Sequence, residues 1–156
     1  MTSDDITIII NTFNSDEQIF SCLDSIDRKF KVQIIENSSN LEFKKKIEDN
    51  YSNVSCELSH DNLGYAKGNN LGLSKVRTKY SLILNPDTKI GKNAIENFFT
   101  AADKYPNFAI IAPAIQEEKD LEKENIRRIE STNNLIEVNN VKGFAMFLNM
   151  EQFADI

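Results

Sequence analysis

The sequence predicts an α/β fold, a mostly parallel sheet with helices on both faces. Three observations carry this. Short apolar runs alternate with amphipathic stretches over the first 115 residues. The runs are near-continuous in Ile, Val and Leu, the pattern of strands covered on both sides. The stretches between them carry apolar residues at helical spacing, so strand and helix alternate along the chain.

Ile6-Thr7-Ile8-Ile9-Ile10 is a β-branched run, long enough for a buried strand and too short for a helix. Residues 16–29 follow with Ile19, Phe20, Leu23 and Ile26 at helical spacing, and Ser15 or Asp16 is suited to cap the start. Val32 to Ile35 reads as the second strand. Residues 41–50, with Leu41, Phe43 and Ile47, read as a short helix. Val54 to Leu58 is the third strand, 65–77 a helix, and Tyr80 to Leu84 the fourth strand. A helix over 91–104 turns Ile95, Phe98 and Phe99 inward, and Phe108 to Ala112 is the fifth strand.

The pattern then changes. Residues 116–130 hold six acids and four bases without an apolar stripe, which reads as a solvated helix or loop, or as a flap beside a site. Gly143 to Leu148 is a further strand, and Met150 onward reads as the start of a helix. The expected organisation is therefore an α/β half over 1–115, followed over 116–156 by a variable charged segment and the start of another region.

Composition narrows the function. The chain has 156 residues, 40% hydrophobic and 27% charged, as an ordinary globular domain does. Its net charge of −6 argues against nucleic acid as a partner and offers no polybasic attraction to anionic lipid. Cys22 and Cys56 lie far apart without metal spacing, which suits reduced structural thiols. No apolar run approaches about 18 residues, and the polar N-terminus is wrong for a secretory signal, so no transmembrane segment and a cytoplasmic location are expected.

In an open α/β sheet, ligands bind beyond the carboxyl ends of the strands. The residues there are Asn11-Thr12-Phe13-Asn14, Glu36-Asn37-Ser38-Ser39, Asp61-Asn62-Leu63-Gly64 and Asn85-Pro86-Asp87, all polar in character. The helix that follows Asn62 contains Gly68 and Gly72 on one face and two adjacent Asn residues, each a helix-weakening choice. Either the glycines pack the helix closely on the sheet, or a ligand approaches there with Lys67 and an Asn facing it. It is neither a Walker loop nor a G-x-G-x-x-G fingerprint. Pro86 biases Asn85 toward an extended conformation and ends the strand, so the turn projects Asp87 at the sheet edge. A carboxylate there is a hard oxygen ligand for Mg²⁺ or Mn²⁺, although Asn-Pro-Asp is also simply a good turn. The single His60 and the run Lys44-Lys45-Lys46 read as an exposed loop histidine and a solvated helix face.

Taken together, these segments resemble family 2 glycosyltransferases, and most of all their bacterial rhamnosyltransferase-like branch. The resemblance rests on Ile8 to Asn14, Ile34 to Ser39, Asn62 to Gly72 and Leu82 to Asp87 in that order and spacing. It covers residues 6–90 strongly and 91–156 weakly, through Val141 to Leu148. It implies a GT-A fold, a nucleotide-diphosphate sugar donor (UDP- or dTDP-linked) and a polysaccharide or lipid-linked glycan acceptor. On the same resemblance Asn85-Pro86-Asp87 stands where the family carries an Asp-x-Asp motif. Asp87 would ligate a divalent cation, Mg or Mn, and Asn85 would bond ribose or a metal-bound water. Glu36 replaces the usual Asp that reads the nucleobase. Thr12, Phe13 and Asn14 would line the base pocket, beside Asn37 and Gly64, and Lys67 and Asn70 match positions facing the nucleotide. A lipid-linked acceptor would bring such an enzyme to the cytoplasmic face of a membrane.

The family mechanism implies inversion with a carboxylate base in an acidic motif just after the strand that 143–148 resembles. The sequence ends before such a motif, so the expectation is a donor-binding half lacking its base. Glu130 and Glu137 are acids in the right region, but their spacing does not single them out. Competing readings are a binding module without turnover and a sugar nucleotidyltransferase. The latter would want a glycine-rich basic loop after the first strand, and Asn11 to Asp16 has no Gly, Lys or Arg.

Overall fold

Six strands form one mixed sheet whose spatial order is β3-β2-β1-β4-β6-β5. The structure, a computed structural model, describes residues 1–114 and 135–153. The expected charged segment over 116–130, with Glu130, lies outside the described residues.

The elements are β1 (Ile6–Thr12), α1 (Ile19–Asp24), β2 (Lys31–Glu36), α2 (Leu41–Asn50), β3 (Val54–Leu58), α3 (Gly64–Leu73), β4 (Tyr80–Leu84), α4 (Ala94–Lys104), β5 (Ile110–Ile111) and β6 (Ala145–Asn149). Strands β3, β2, β1 and β4 are parallel neighbours, while β6 runs antiparallel between β4 and β5. The alternation of strand and helix is as the sequence predicts, and so is the mostly parallel pairing of the first four strands.

Several boundaries differ. The helix expected over 16–29 is only Ile19–Asp24, and neither Ser15 nor Asp16 caps it. Ser15 instead accepts the amides of Gln18 and Ile19 through its carbonyl. At the other end the Ser25 hydroxyl donates to Cys22 O at 2.6 Å, and Asp27 Oδ1 accepts the Lys29 amide at 3.0 Å. Such local side-chain bonds compete with helix continuation. Helix α3 stops at Leu73 rather than 77, α4 begins at Ala94 rather than 91, and β5 shrinks to two residues. Met150–Gln152 form a 3-10 turn where a helix was expected.

Strand alternation sorts the core into two layers. Ile6, Ile8 and Ile10 point to the face covered by α1, α2 and α4, with Phe43, Ile47, Ile95 and Phe99 from the helices. Ile9 and Ile83 point to the other face, where Leu73 of α3 covers them. An aromatic cluster closes the first layer at the β6 end: the Phe147 ring lies 5.0 Å from Tyr80, 5.1 Å from Phe98 and 5.5 Å from Phe108.

This topology places a crevice. From β1 the chain winds through β2 to β3 on one side. From β4 it continues on the other side. The switch point lies between β1 and β4, and the carboxyl ends of those two strands flank it.

Candidate functional site

Strand register decides which polar side chains meet at this edge. Thr12 pairs with Glu36 across β1 and β2 and points to the α1 side. Asn11, one residue earlier, points to the α3 side. The two residues therefore organise opposite halves of the edge.

On the α1 side the Glu36 carboxylate is 3% exposed and held by two hydroxyls. Thr12 Oγ1 donates to its Oε2 at 2.5 Å and Ser38 Oγ to its Oε1 at 2.6 Å. The charge-assisted pair fixes the carboxylate behind the end of β2. Phe13 follows as a half-exposed ring, and Asn14 takes a left-handed backbone conformation with φ of 52°. That turn keeps Phe13 at the mouth of the crevice.

On the α3 side Asn37 Nδ2 donates to Asn11 Oδ1 at 2.6 Å, and Asn11 Nδ2 donates to the carbonyls of Gly64 and Tyr65 at 3.2 and 3.1 Å. Asn62 Oδ1 accepts the Gly64 amide, and Gly64 has φ of +73°, which explains a glycine there. Gly68 and Gly72 are explained by packing. A Cβ at Gly68 would lie 2.4 Å from Asn11 Oδ1, and one at Gly72 would lie 2.6 Å from Ile9 Cγ2. Of the two readings of these glycines, close helix–sheet approach is the one seen.

At the switch point, the Asn85 amide donates to Phe144 O at 2.9 Å and the Thr88 amide to Asn85 O at 3.1 Å, closing the Asn85-Pro86-Asp87 turn. Asp87 is exposed and carries no hydrogen bond or ion pair among the described residues. Cys22 of α1 lies behind the turn, with Sγ 3.8 Å from Asn85 O. Burial pushes the Cys22 thiol up to about 12, and the nearby Asp87 charge adds to the shift.

The edge thus gathers Thr12, Phe13, Asn14, Glu36, Asn37 and Gly64 on the β1–β2 side, and Asn85 and Asp87 on the β4 side. Lys67 and Asn70 lie on the neighbouring helix. Both are exposed on α3, and helical geometry turns them away from the face that carries Gly68, Asn69 and Gly72. Glu137 is exposed in the segment before β6, and His60 is an exposed loop residue. Sequence reasoning missed Asn11 as the hub of the α3 side. It also missed Tyr65, whose hydroxyl donates to Gly143 O. The i,i+4 spacing of Tyr65 with Asn69, on the glycine face, was the available signal.

A divalent cation fits the chemistry of this edge. Among the described residues no cluster of three or more His, Cys, Asp or Glu side chains forms a cage. A lone exposed carboxylate suits Mg²⁺ or Mn²⁺ held mainly by substrate phosphates and water. Among the described residues no helix is long and apolar enough to cross a membrane.

Comparison with known proteins places the architecture. Residues 7–153 match the model of glycosyl transferase family 2. The low-salt glycan biosynthesis hexosyltransferase Agl10 of Haloferax volcanii is 31% identical over 116 residues, covering 72% of this chain and 37% of that protein. The mannosyltransferase PcManGT of Pyrobaculum calidifontis, solved with GDP-Man and Mn2+, superposes with a TM-score of 0.74 at 13% identity, over 96% of this chain and 46% of that one. Residues 1–349 of S. aureus TarS, solved with UDP-GlcNAc, give a TM-score of 0.68 at 15% identity, over 99% and 47%. The chain spans under half the length of each. The fold is of the GT-A type, and the chain belongs to glycosyl transferase family 2.

Proposed function

We propose that this chain binds the nucleotide-diphosphate sugar donor of a glycosyltransferase, with UDP- or dTDP-linked sugars as the donor class and a polysaccharide or lipid-linked glycan as acceptor. One observation carries the reading: Asp87, exposed and without a hydrogen bond or ion pair among the described residues, projects from the Asn85-Pro86-Asp87 turn at the switch point, opposite the polar ends of β1 and β2. On this reading residues 1–115 supply the donor side together with β6, which lies in the same sheet between β4 and β5, and the rest of the region from 116 onward leads toward the acceptor side.

Each residue then has a task. Glu36, fixed by Thr12 and Ser38, presents an acceptor-only carboxylate toward the nucleobase, and Phe13 offers its ring face beside it. Asn37 and Asn11 lock the end of β2 to α3, and Gly64 lets the backbone turn close to the ligand. Asn85 offers a side-chain amide to the ribose, and Asp87 holds the cation. A cation bound there would neutralise charge developing on the diphosphate leaving group. This matters because the chain itself carries a net charge of −6.

In the transfer an acceptor hydroxyl attacks the anomeric carbon with inversion. A new glycosidic C–O bond forms, and the bond from that carbon to the diphosphate oxygen breaks with its electron pair. The hydroxyl proton passes to a carboxylate base, and none of the described acids is assigned that role.

Calorimetry with UDP-, dTDP- and GDP-sugars, with and without Mn²⁺, tests the reading. The expected result is metal-dependent binding that Asp87→Ala removes. Equal binding without metal, or an unaffected Asp87→Ala variant, overturns it.

A further inference from the structure

Two carbonyls of one dipeptide tie the carboxyl edge together. Tyr65, at the start of α3, donates its hydroxyl to Gly143 O, across 78 positions of sequence. The next carbonyl, Phe144 O, accepts the Asn85 amide at 2.9 Å and the Thr88 hydroxyl at 3.3 Å. Gly143 and Phe144 lead directly into β6, whose first residue, Ala145, pairs with Leu84 at the end of β4. The dipeptide therefore bridges α3 on one side and the Asp87 turn on the other.

A Cβ at Gly143 would lie 2.9 Å from the Tyr65 hydroxyl and would displace the end of that side chain from its place on the Gly143 carbonyl. Beneath it, Asn69 is 3% exposed and sets its side chain against the Tyr65 hydroxyl. The Tyr65 ring itself stays half-exposed at the mouth of the edge.

The geometry points to Tyr65 as a positioning residue for the sugar half of the donor: its hydroxyl clasps Gly143-Phe144 against α3 and so fixes the wall beside the Asp87 turn. This rests on the donor-binding reading above. The nucleoside diphosphate is gripped elsewhere, by the β1 and β2 ends and by Asp87. The sugar extends past the diphosphate into the space that the clasp bounds. Loss of the clasp should therefore loosen the sugar and spare the nucleotide.

Two measurements on the Tyr65→Phe variant test this, with Gly143→Ala as a second route to the same loss. The first is hydrogen exchange at the Asn85 amide, which needs no ligand. Exchange about tenfold faster than in the wild type is expected, because the Phe144 carbonyl loses its anchored neighbour. Unchanged exchange overturns the clasp. The second is calorimetry with UDP and UDP-GlcNAc in Mn²⁺, or GDP and GDP-Man where the wild type prefers guanine. The ratio of the nucleotide-sugar Kd to the nucleotide Kd should rise by about fivefold, while the nucleotide Kd stays within about twofold. An unchanged ratio, or equal weakening of both ligands, overturns the sugar assignment. Gly143→Ala should reproduce the loss in the wild-type background and add little to Tyr65→Phe, and full additivity counts against the clasp. A wild type that binds neither ligand overturns the donor reading itself, which sets that failure apart from a failure of the clasp.

Discussion

The side-chain amide of Asn37 donates a 2.6 Å hydrogen bond to Asn11 Oδ1, the same oxygen that a Cβ on Gly68 would approach to 2.4 Å. One side chain thus fixes the end of β2 and the spacing of α3 at once. Asn11 has no room to yield, because its nitrogen is bound to two carbonyls of α3. Gly68→Ala gains about 0.5–1 kcal/mol of helix propensity but forces this network apart. We expect a net loss of about 1–3 kcal/mol in denaturant unfolding, the usual range for overpacking. Gly91→Ala, where nothing lies within 4 Å of the added Cβ, should stay within about 0.5 kcal/mol of the wild type. Equal stability of the two variants would show that Asn11 is not rigidly held.

Asp87 separates function from folding. It is exposed and unpartnered among the described residues, so its removal takes nothing from the fold. Asp87→Asn keeps the shape of the turn and removes the charge. Its unfolding midpoint should match that of the wild type, and Mn²⁺ should no longer strengthen nucleotide binding in calorimetry. A drop in stability with metal response intact would reassign Asp87 to the turn alone.

Much of this edge could be read from the sequence, and the reasons are local. β-branched runs fix the first four strands, and polar residues after each run mark the edge that gathers them. Asp87 follows from a proline that cannot extend β4. What escaped depends on distance in sequence or on angle around a helix. Nothing near Tyr65 announces Gly143, because their contact forms only after β6 inserts beside β4. The packing role of Gly68 against Asn11 is one such case, because the glycine face of α3 meets β1 only in the folded sheet, while Lys67 stands exposed about 100° round the helix. The early end of α1 came from Ser25 and Asp27 bonding their own backbone, a competition that hydrophobic spacing does not register.

The two cysteines make a pH prediction. Burial raises both thiols from an ordinary value of 9.0 to about 12, with the Asp87 charge adding at Cys22 and the Lys44 charge opposing at Cys56. A thiol raised on folding keeps its proton between pH 9 and about 12 in the native state and loses it in the unfolded state. Its contribution is fully present below pH 9 and is lost as pH rises toward about 12, by at most about 1.4 kcal/mol per unit for each thiol. Urea midpoints from pH 8 to 11 should fall accordingly, and less steeply in Cys22→Ala and Cys56→Ala measured against their own values at pH 8. Ellman's reagent at pH 8 should react with both thiols only on unfolding, and rapid native labelling would contradict the burial.

Glu36 is where base choice meets stability. Its carboxylate is the 2.5 Å acceptor of the Thr12 hydroxyl and the acceptor of the Ser38 hydroxyl, so Glu36→Ala leaves Thr12 only the Ile35 carbonyl at 3.3 Å and leaves Ser38 only the Asn40 amide that it accepts. That should cost about 1–3 kcal/mol. Glu36→Gln keeps the volume and one acceptor oxygen, and each hydroxyl can rotate to suit the amide, so the loss should stay below about 1 kcal/mol. The carboxylate accepts only, as the imide N–H of uracil or thymine requires, whereas the amide also donates. Glu36→Gln should therefore weaken UDP or dTDP by about tenfold and move the preference toward a base that presents an acceptor there, such as cytosine. A panel of the four nucleoside diphosphates reads this directly. An unchanged order of affinities in a folded Glu36→Gln variant would leave Glu36 as a brace for Thr12 and Ser38 and would return base selection to Phe13 and the backbone around Asn14.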